Sequence, residues 1–341
     1  MALPFFRDIW ARIASRLGIK AAGRVPWECR GEDNGIRIAD VRRLWGGTSY
    51  HSAFTDLIRH QERWWCAFRE ASTHMSLDGV FRILSSSDGV KWKTAAVLKS
   101  ADEDLRDPKF SVAPDGRLML VGVGTTRKPH LHDHQVYLSY IWFSTDGCSW
   151  GKALPVADPD YWMWRATWHK GVCYGIGYFC AVPLGVRLYR SDDGRQFETL
   201  VESLFNQGEP NEHALTFMPD DTALCLLRCN RYHGLFGTAK PPYTEWQWKD
   251  TGMFIGGPDM LQLPDSRVIA AVRLYTGQLR TSLCWLGPAT GRLDECLALP
   301  SGGDTSYPGL VWHEGQLWVS YYSSHEGYSA IYLATVMIDG L

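Results

Sequence analysis

The sequence predicts an all-β fold: a six-bladed β-propeller of four-stranded antiparallel blades, with a short N-terminal helix. Three observations predict it. First, a short apolar strand, a Pro/Asp/Gly turn and a second apolar strand recur six times, as in FSVAPDGRLMLVGVG and MLQLPDSRVIAAVR. Second, these copies begin near Ala53, Phe110, Thr167, Ala214, Met260 and Gly309, at intervals of 46 to 57 residues, which is the length of a propeller blade. Third, 13% of the residues are aromatic, 16 of them Trp, which suits the wedge-shaped gaps between blades as well as stacking on sugar rings.

The elements follow in order. Residues 1–24 place Phe5, Ile9, Trp10, Ile13 and Leu17 at helical spacing among Arg and Lys. The apolar run is too short and too interrupted by charge for a signal peptide, so a helix packed on the propeller of a cytoplasmic protein is expected. A basic amphipathic helix lying on a bilayer is the alternative. Residues 1–30 therefore read as helix and lead-in, and residues 31–341 as the propeller. Blades are expected at 50–104, 105–160, 161–208, 209–254, 255–303 and 304–341. The last lacks room for an outer strand, because AIYLATVMI brings the chain nearly to its end. Gly35–Ala39 is expected to complete it, a closure that removes exposed sheet edges.

Composition narrows the partners. With 35 basic and 37 acidic residues the formal charge is −2, which gives no footprint for nucleic acid, and no phosphate loop or nucleotide fingerprint appears. The nine cysteines form no CxxC pair and no zinc spacing. Most, such as Cys66, Cys173 and Cys225, sit in apolar strand runs as small hydrophobes. His130, His132, Asp133 and His134 read as a solvated loop or a lid, and neither a metal nor another cofactor is expected.

In a propeller the starts of the innermost strands and the ends of the second strands surround one central pit. Aligning the six copies assigns His51, Arg106, Asp107, Arg165, Glu212, Asp259 and Tyr307 to the first set. Arg69, Glu70, Arg127, Tyr178, Arg228, Arg231, Arg273, Tyr275 and Tyr322 fall in the second. So many guanidinium groups on one face point to an anionic or polyhydroxylated ligand, because their fork matches carboxylate geometry. Glu70 beside His74 reads equally as a pair that positions sugar hydroxyls or as a hydrogen-bonded pair that stabilises its turn.

Three copies carry a further signature: Ser86-Ser87-Asp88-Gly89-Val90-Lys91-Trp92, Ser144 to Trp150, and Ser191 to Phe197. It resembles the Asp-box of the sialidase superfamily, in its shortened S-x-D-G-x-x-[WF] form. The resemblance implies a glycosidase acting on a terminal acidic sugar of a glycan. Tyr307-Pro308-Gly309-Leu310 matches the setting of the sialidase nucleophile, and Glu212 the glutamate that draws off its proton. Arg228 (or Arg231) and Arg273 match two of three carboxylate-binding arginines, and Asp78 in EASTHMSLDG is the nearest candidate for the general acid. The third arginine is replaced by His51, leaving Arg69, Arg106 or His51 itself to complete the clamp. Sialidases stand outside the two-carboxylate scheme of most glycosidases.

A second reading starts from Leu105-Arg106-Asp107-Pro108, which resembles the R-D-P motif of five-bladed furanosidases. Asp107, Glu212 and Asp56 or Asp78 then form a carboxylate set acting on a non-sialic sugar. A third is a propeller that binds carbohydrate without chemistry.

Overall fold

The computed structural model describes residues 35–126 and 136–341. The expected N-terminal helix, Arg127 and the histidine-rich run from His130 to His134 lie outside them. The described residues form 24 strands and no helix, arranged as six four-stranded antiparallel sheets. Blade one holds β2 (His51–His60), β3 (Arg63–Ala71), β4 (Val80–Ser86) and β5 (Lys93–Leu98). Blades two to five open on β6 (Glu103–Val112), β10 (Tyr161–His169), β14 (Pro210–Phe217) and β18 (Ile255–Gln262), and each continues outward in chain order. Blade six is closed as expected. From the centre it runs β22 (Thr305–His313), β23 (Gln316–Ser323), β24 (Ala330–Ile338) and finally β1 (Ile36–Gly46), which is longer than the sequence pattern suggests. Pairing from Ile36 against Ile338 to Gly46 against Ala330 thus joins the two ends of the described chain.

Cohesion between blades is apolar. Six buried clusters form, essentially one at each blade-to-blade interface. Trp64 of blade one meets Trp318 of blade six at 4.4 Å between centroids, so tryptophans do fill the wedges.

The three Asp-turns have the same geometry. Asp88 accepts from the backbone N–H groups of Val90 (2.9 Å) and Lys91 (2.8 Å), and Asp146 and Asp193 repeat the pattern. Gly89 takes φ +70° and lies against Trp318, where a Cβ would come within 2.6 Å of the indole. Each turn is therefore a local clasp on a neighbouring wedge.

One feature was hidden in the sequence. Every innermost strand carries a bulge at the same level, interrupting pairing at Ala53/Asp56, Arg106/Lys109, Met163/Arg165, Pro210/His213, Gly256/Asp259 and Ser306/Gly309. A bulge inserts a residue and flips the two-residue period, so the alternating pattern is readable only beyond it. This is why the strands begin at His51, Glu103, Tyr161, Pro210, Ile255 and Thr305, ahead of the positions the repeat suggests.

Candidate active site

The ring of bulges builds the site. Phe54, Asp107, Trp164, Glu212, Gly257 and Tyr307 lie within the six interruptions, and Phe54, Asp107, Gly257 and Tyr307 have φ between +50° and +63°. A left-handed conformation is uncommon for non-glycine residues, and here it recurs at one level of the innermost strands.

Tyr307 and Glu212 meet at the centre. The phenol donates a short hydrogen bond to Glu212 Oε1, which also accepts from Arg228 Nη1 at 2.8 Å. The second carboxylate oxygen accepts from the Gly257 backbone N–H at 2.6 Å. A side chain at Gly257 would bring its Cβ within 2.8 Å of the Tyr307 ring, so only glycine fits there. Burial works against ionisation of Glu212, but Arg228, the Tyr307 hydroxyl and Arg273 outweigh it and hold the carboxyl below its usual range. Burial and the charge of Glu212 push the Tyr307 phenol well above its usual value, against the pull of Arg273 and Arg228. Phe54 and Trp164 pack against the Tyr307 ring, each at 5.0 Å between centroids, and the Arg273 guanidinium lies 5.3 Å from its centre.

Asp107 faces the same pit. Its Oδ1 is buried and makes no hydrogen bond within the protein. Burial, reinforced by Glu212 and opposed by Lys109, pushes its carboxyl up to about 7. Asp78, by contrast, sits in the turn after β3 and accepts from the Ser72 N–H at 3.1 Å and the Ser72 hydroxyl. Partial burial is outweighed by hydrogen bonds from Ser72 and Ser76, which hold it down at about 2.

The cations are paired. Arg69 binds Asp104 through Nε (3.1 Å) and Nη2 (2.9 Å), and Arg106 binds the other oxygen of Asp104 at 2.6 Å. Both arginines also clamp the 72–79 loop by its carbonyls, among them Ser76 (2.7 Å, from Arg69) and His74 (3.1 Å, from Arg106). Glu70 is held by Arg82 at 2.6 Å and by the Trp45 indole at 2.7 Å, and so anchors the closing strand. Arg273 donates to the Thr305 carbonyl (2.6 Å), Tyr322 (2.8 Å) and Asp304 (3.3 Å). Arg231 points outward to Glu209 with its side chain 71% exposed, so Arg228 is the blade-four guanidinium of the pit. His51 lies 3.3 Å from Asp304 Oδ2, an oxygen that His74 also meets at 2.7 Å.

Arg165 belongs to a second, deeper tier, made by the residues that close the bulges. It spans Asp56 (3.1 Å) and Asp259 (3.4 Å), while Lys109 donates to the Thr55 carbonyl. His213 completes this tier, kept neutral by burial and by Arg165, which lower its imidazole to about 3. Beyond it, toward the far ends of the innermost strands, the axis opens into a cavity of about 290 Å³ walled by Leu57, Phe110, Met260 and Leu310. Tyr307 and Glu212 do not line that cavity.

The sequence reading missed Asp304, Gly257, Lys109 and His213. Asp304 had a signal. It stands three residues before the bulge residue Tyr307, as Asp104 stands before Asp107 and His51 before Phe54. Counted from the bulge, these three form one rim.

Neither a protein-family model nor any curated protein matches the sequence. Solved structures do match. A protein of unknown function from Dyadobacter fermentans superposes with a TM-score of 0.78 at 18% identity, covering 89% of this chain and 100% of the other. An alpha-L-arabinofuranosidase of Fusarium graminearum gives 0.68 at 11% identity, covering 86% and 95%. Trypanosoma rangeli sialidase bound to the inhibitor DANA gives 0.67 at 11% identity, covering 88% of this chain and 58% of the sialidase. At these identities the likeness is one of fold: the chain shares the six-bladed β-propeller of these structures.

Proposed function

We propose that the protein is a retaining glycosidase in which Tyr307 is the nucleophile. The observation that carries this is the hydrogen bond from the buried Tyr307 hydroxyl to an ionised Glu212, made within the ring of bulges. A phenol with a reference pKa of about 10 is a poor nucleophile until a base takes its proton. Glu212 is placed to do so. In the first step the Tyr307 oxygen bonds to the anomeric carbon, the phenolic proton passes to Glu212, and the glycosidic C–O bond breaks. Asp107, with a carboxyl near neutrality, has the features of the donor that protonates the leaving oxygen. Water then attacks the glycosyl-tyrosine, Asp107 takes its proton, and Tyr307 leaves with the proton returned by Glu212. Asp78 is held ionised by its turn and fits the role of acid less well. The solved glycosidases that share the fold add support for a sugar substrate.

A phenol nucleophile suits a terminal acidic sugar, since a carboxylate in its place would repel the substrate. One observation favours a second reading, a neutral sugar: Arg69, Arg106, Arg165, Arg228 and Arg273 each meet a carboxylate of the protein itself. Incubation with fluorinated activated glycosides of both classes tests the mechanism and the substrate together. We expect a covalent glycosyl adduct on Tyr307, found by peptide mass spectrometry, with the class that labels naming the sugar. Tyr307→Phe should lose labelling and turnover while melting normally. Turnover retained in Tyr307→Phe would overturn the proposal.

A further inference from the structure

We propose that His51, His74 and Asp304 form a binding site for a divalent transition-metal ion at the rim of the pit. The three come from distant stretches: the first residue of β2, the loop after β3, and the residue just before β22. Their donor atoms, one on each side chain, lie within 4.8 Å of one another. Asp304 Oδ2 stands 3.3 Å from His51 Nε2 and 2.7 Å from His74 Nδ1. Ligands bonded to a common zinc-class ion at about 2.1 Å are spaced by roughly 3 to 3.5 Å, so small side-chain rotations suffice to seat one.

The surroundings are those of a built site. Asp304 Oδ1 is occupied by the Tyr322 hydroxyl (2.7 Å) and Arg273 (3.3 Å), which leaves Oδ2 aimed at the two imidazoles. The backbone N–H of Asp304 is tied to the Ser324 hydroxyl at 2.8 Å. The His74 carbonyl is gripped by Arg106, and its ring lies edge-on to Phe54 at 5.3 Å. Outer partners that orient each ligand are what metal sites need beyond the ligands themselves. His74 keeps 35% of its side chain exposed, which gives an ion a way in and leaves coordination positions open to the pit.

Two imidazoles and one carboxylate select an ion of the zinc, cobalt, nickel or ferrous class over calcium or magnesium, which prefer oxygen. With guanidinium groups of the pit already facing protein carboxylates, such an ion adds positive charge that an oxygen of a ligand can share. The inference concerns metal binding and stands whether or not Tyr307 is a nucleophile.

The test uses the full chain, stripped with chelator and titrated with Co2+ and Zn2+. We expect one tight equivalent, a visible d–d spectrum for Co2+, and displacement by Zn2+. His74→Ala changes a partly exposed ring and is expected to fold normally. It should weaken affinity by about tenfold or more, as should His51→Ala. A variant with His130, His132 and His134 all changed to Ala controls for the other histidine-rich stretch and should keep the tight site. Absence of tight binding, or binding unchanged in both single variants and lost in the triple variant, overturns the proposal.

Discussion

The outer rim and the central pit are built from the same repeating unit, yet they use it in opposite ways. On the rim, Asp88, Asp146 and Asp193 bond to amides two and three residues away, in solvent, and each carboxyl is held below its usual range by those amides. At the centre, Asp107, Glu212 and Tyr307 answer to burial and to charges gathered around the ring, some from their own blade and some from others, away from water. Asp107 is pushed up, Glu212 is held down, and the phenol is raised. A carboxylate in a turn does a structural task that neighbours along the chain define. A carboxylate in a bulge acquires its chemistry from the ring.

That contrast can be tested by substitution. Glu212→Gln should cause the largest loss, lowering kcat by up to about 10^4-fold on any accepted glycoside, because the phenol loses its base. Near-normal kcat would place the base elsewhere. Asp107→Asn is expected to cost about 10^2-fold on substrates with poor leaving groups and much less on activated aryl glycosides, which need little acid help. The pH profile sharpens this case. If Asp107 is the acid it acts protonated, so activity should fall as pH rises through about 7, while the acid limb follows protonation of Glu212 below the ordinary carboxylate range. Loss of the alkaline limb in Asp107→Asn is the expected signature. An alkaline limb that persists in Asp107→Asn, or that vanishes instead in Asp78→Asn, would return the acid role to the loop. The smallest effect belongs to the rim. Asp88→Ala should leave kcat unchanged and lower the melting temperature by only about 2 °C. A variant that melts normally but loses activity would erase the distinction between rim and centre.

Legibility follows the same line. The three turns were readable as a motif, because donor and acceptor lie within a few residues and Gly89 supplies the required backbone. Closure by the strand beginning at Ile36 was readable from the missing outer strand of blade six. Tyr307, Glu212, Arg228 and Arg273 were readable through a family resemblance, and the structure brings them together. Asp78 and Arg69 were singled out by the same route, but both are bonded within or beside the 72–79 loop. The resemblance fixed their place along the chain and said nothing of their partners.

Period, turn chemistry and the count of blades were already set by short-range pattern, since alternation and tight turns depend on adjacent residues. The protonation states, the pairing of each guanidinium and the gathering of His51, His74 and Asp304 were decided only when the ring closed. Tyr307 lies 95 residues from Glu212, and Asp304 lies 230 from His74. Burial and charge act through space over a few ångströms, and no local pattern records which distant groups will share that space.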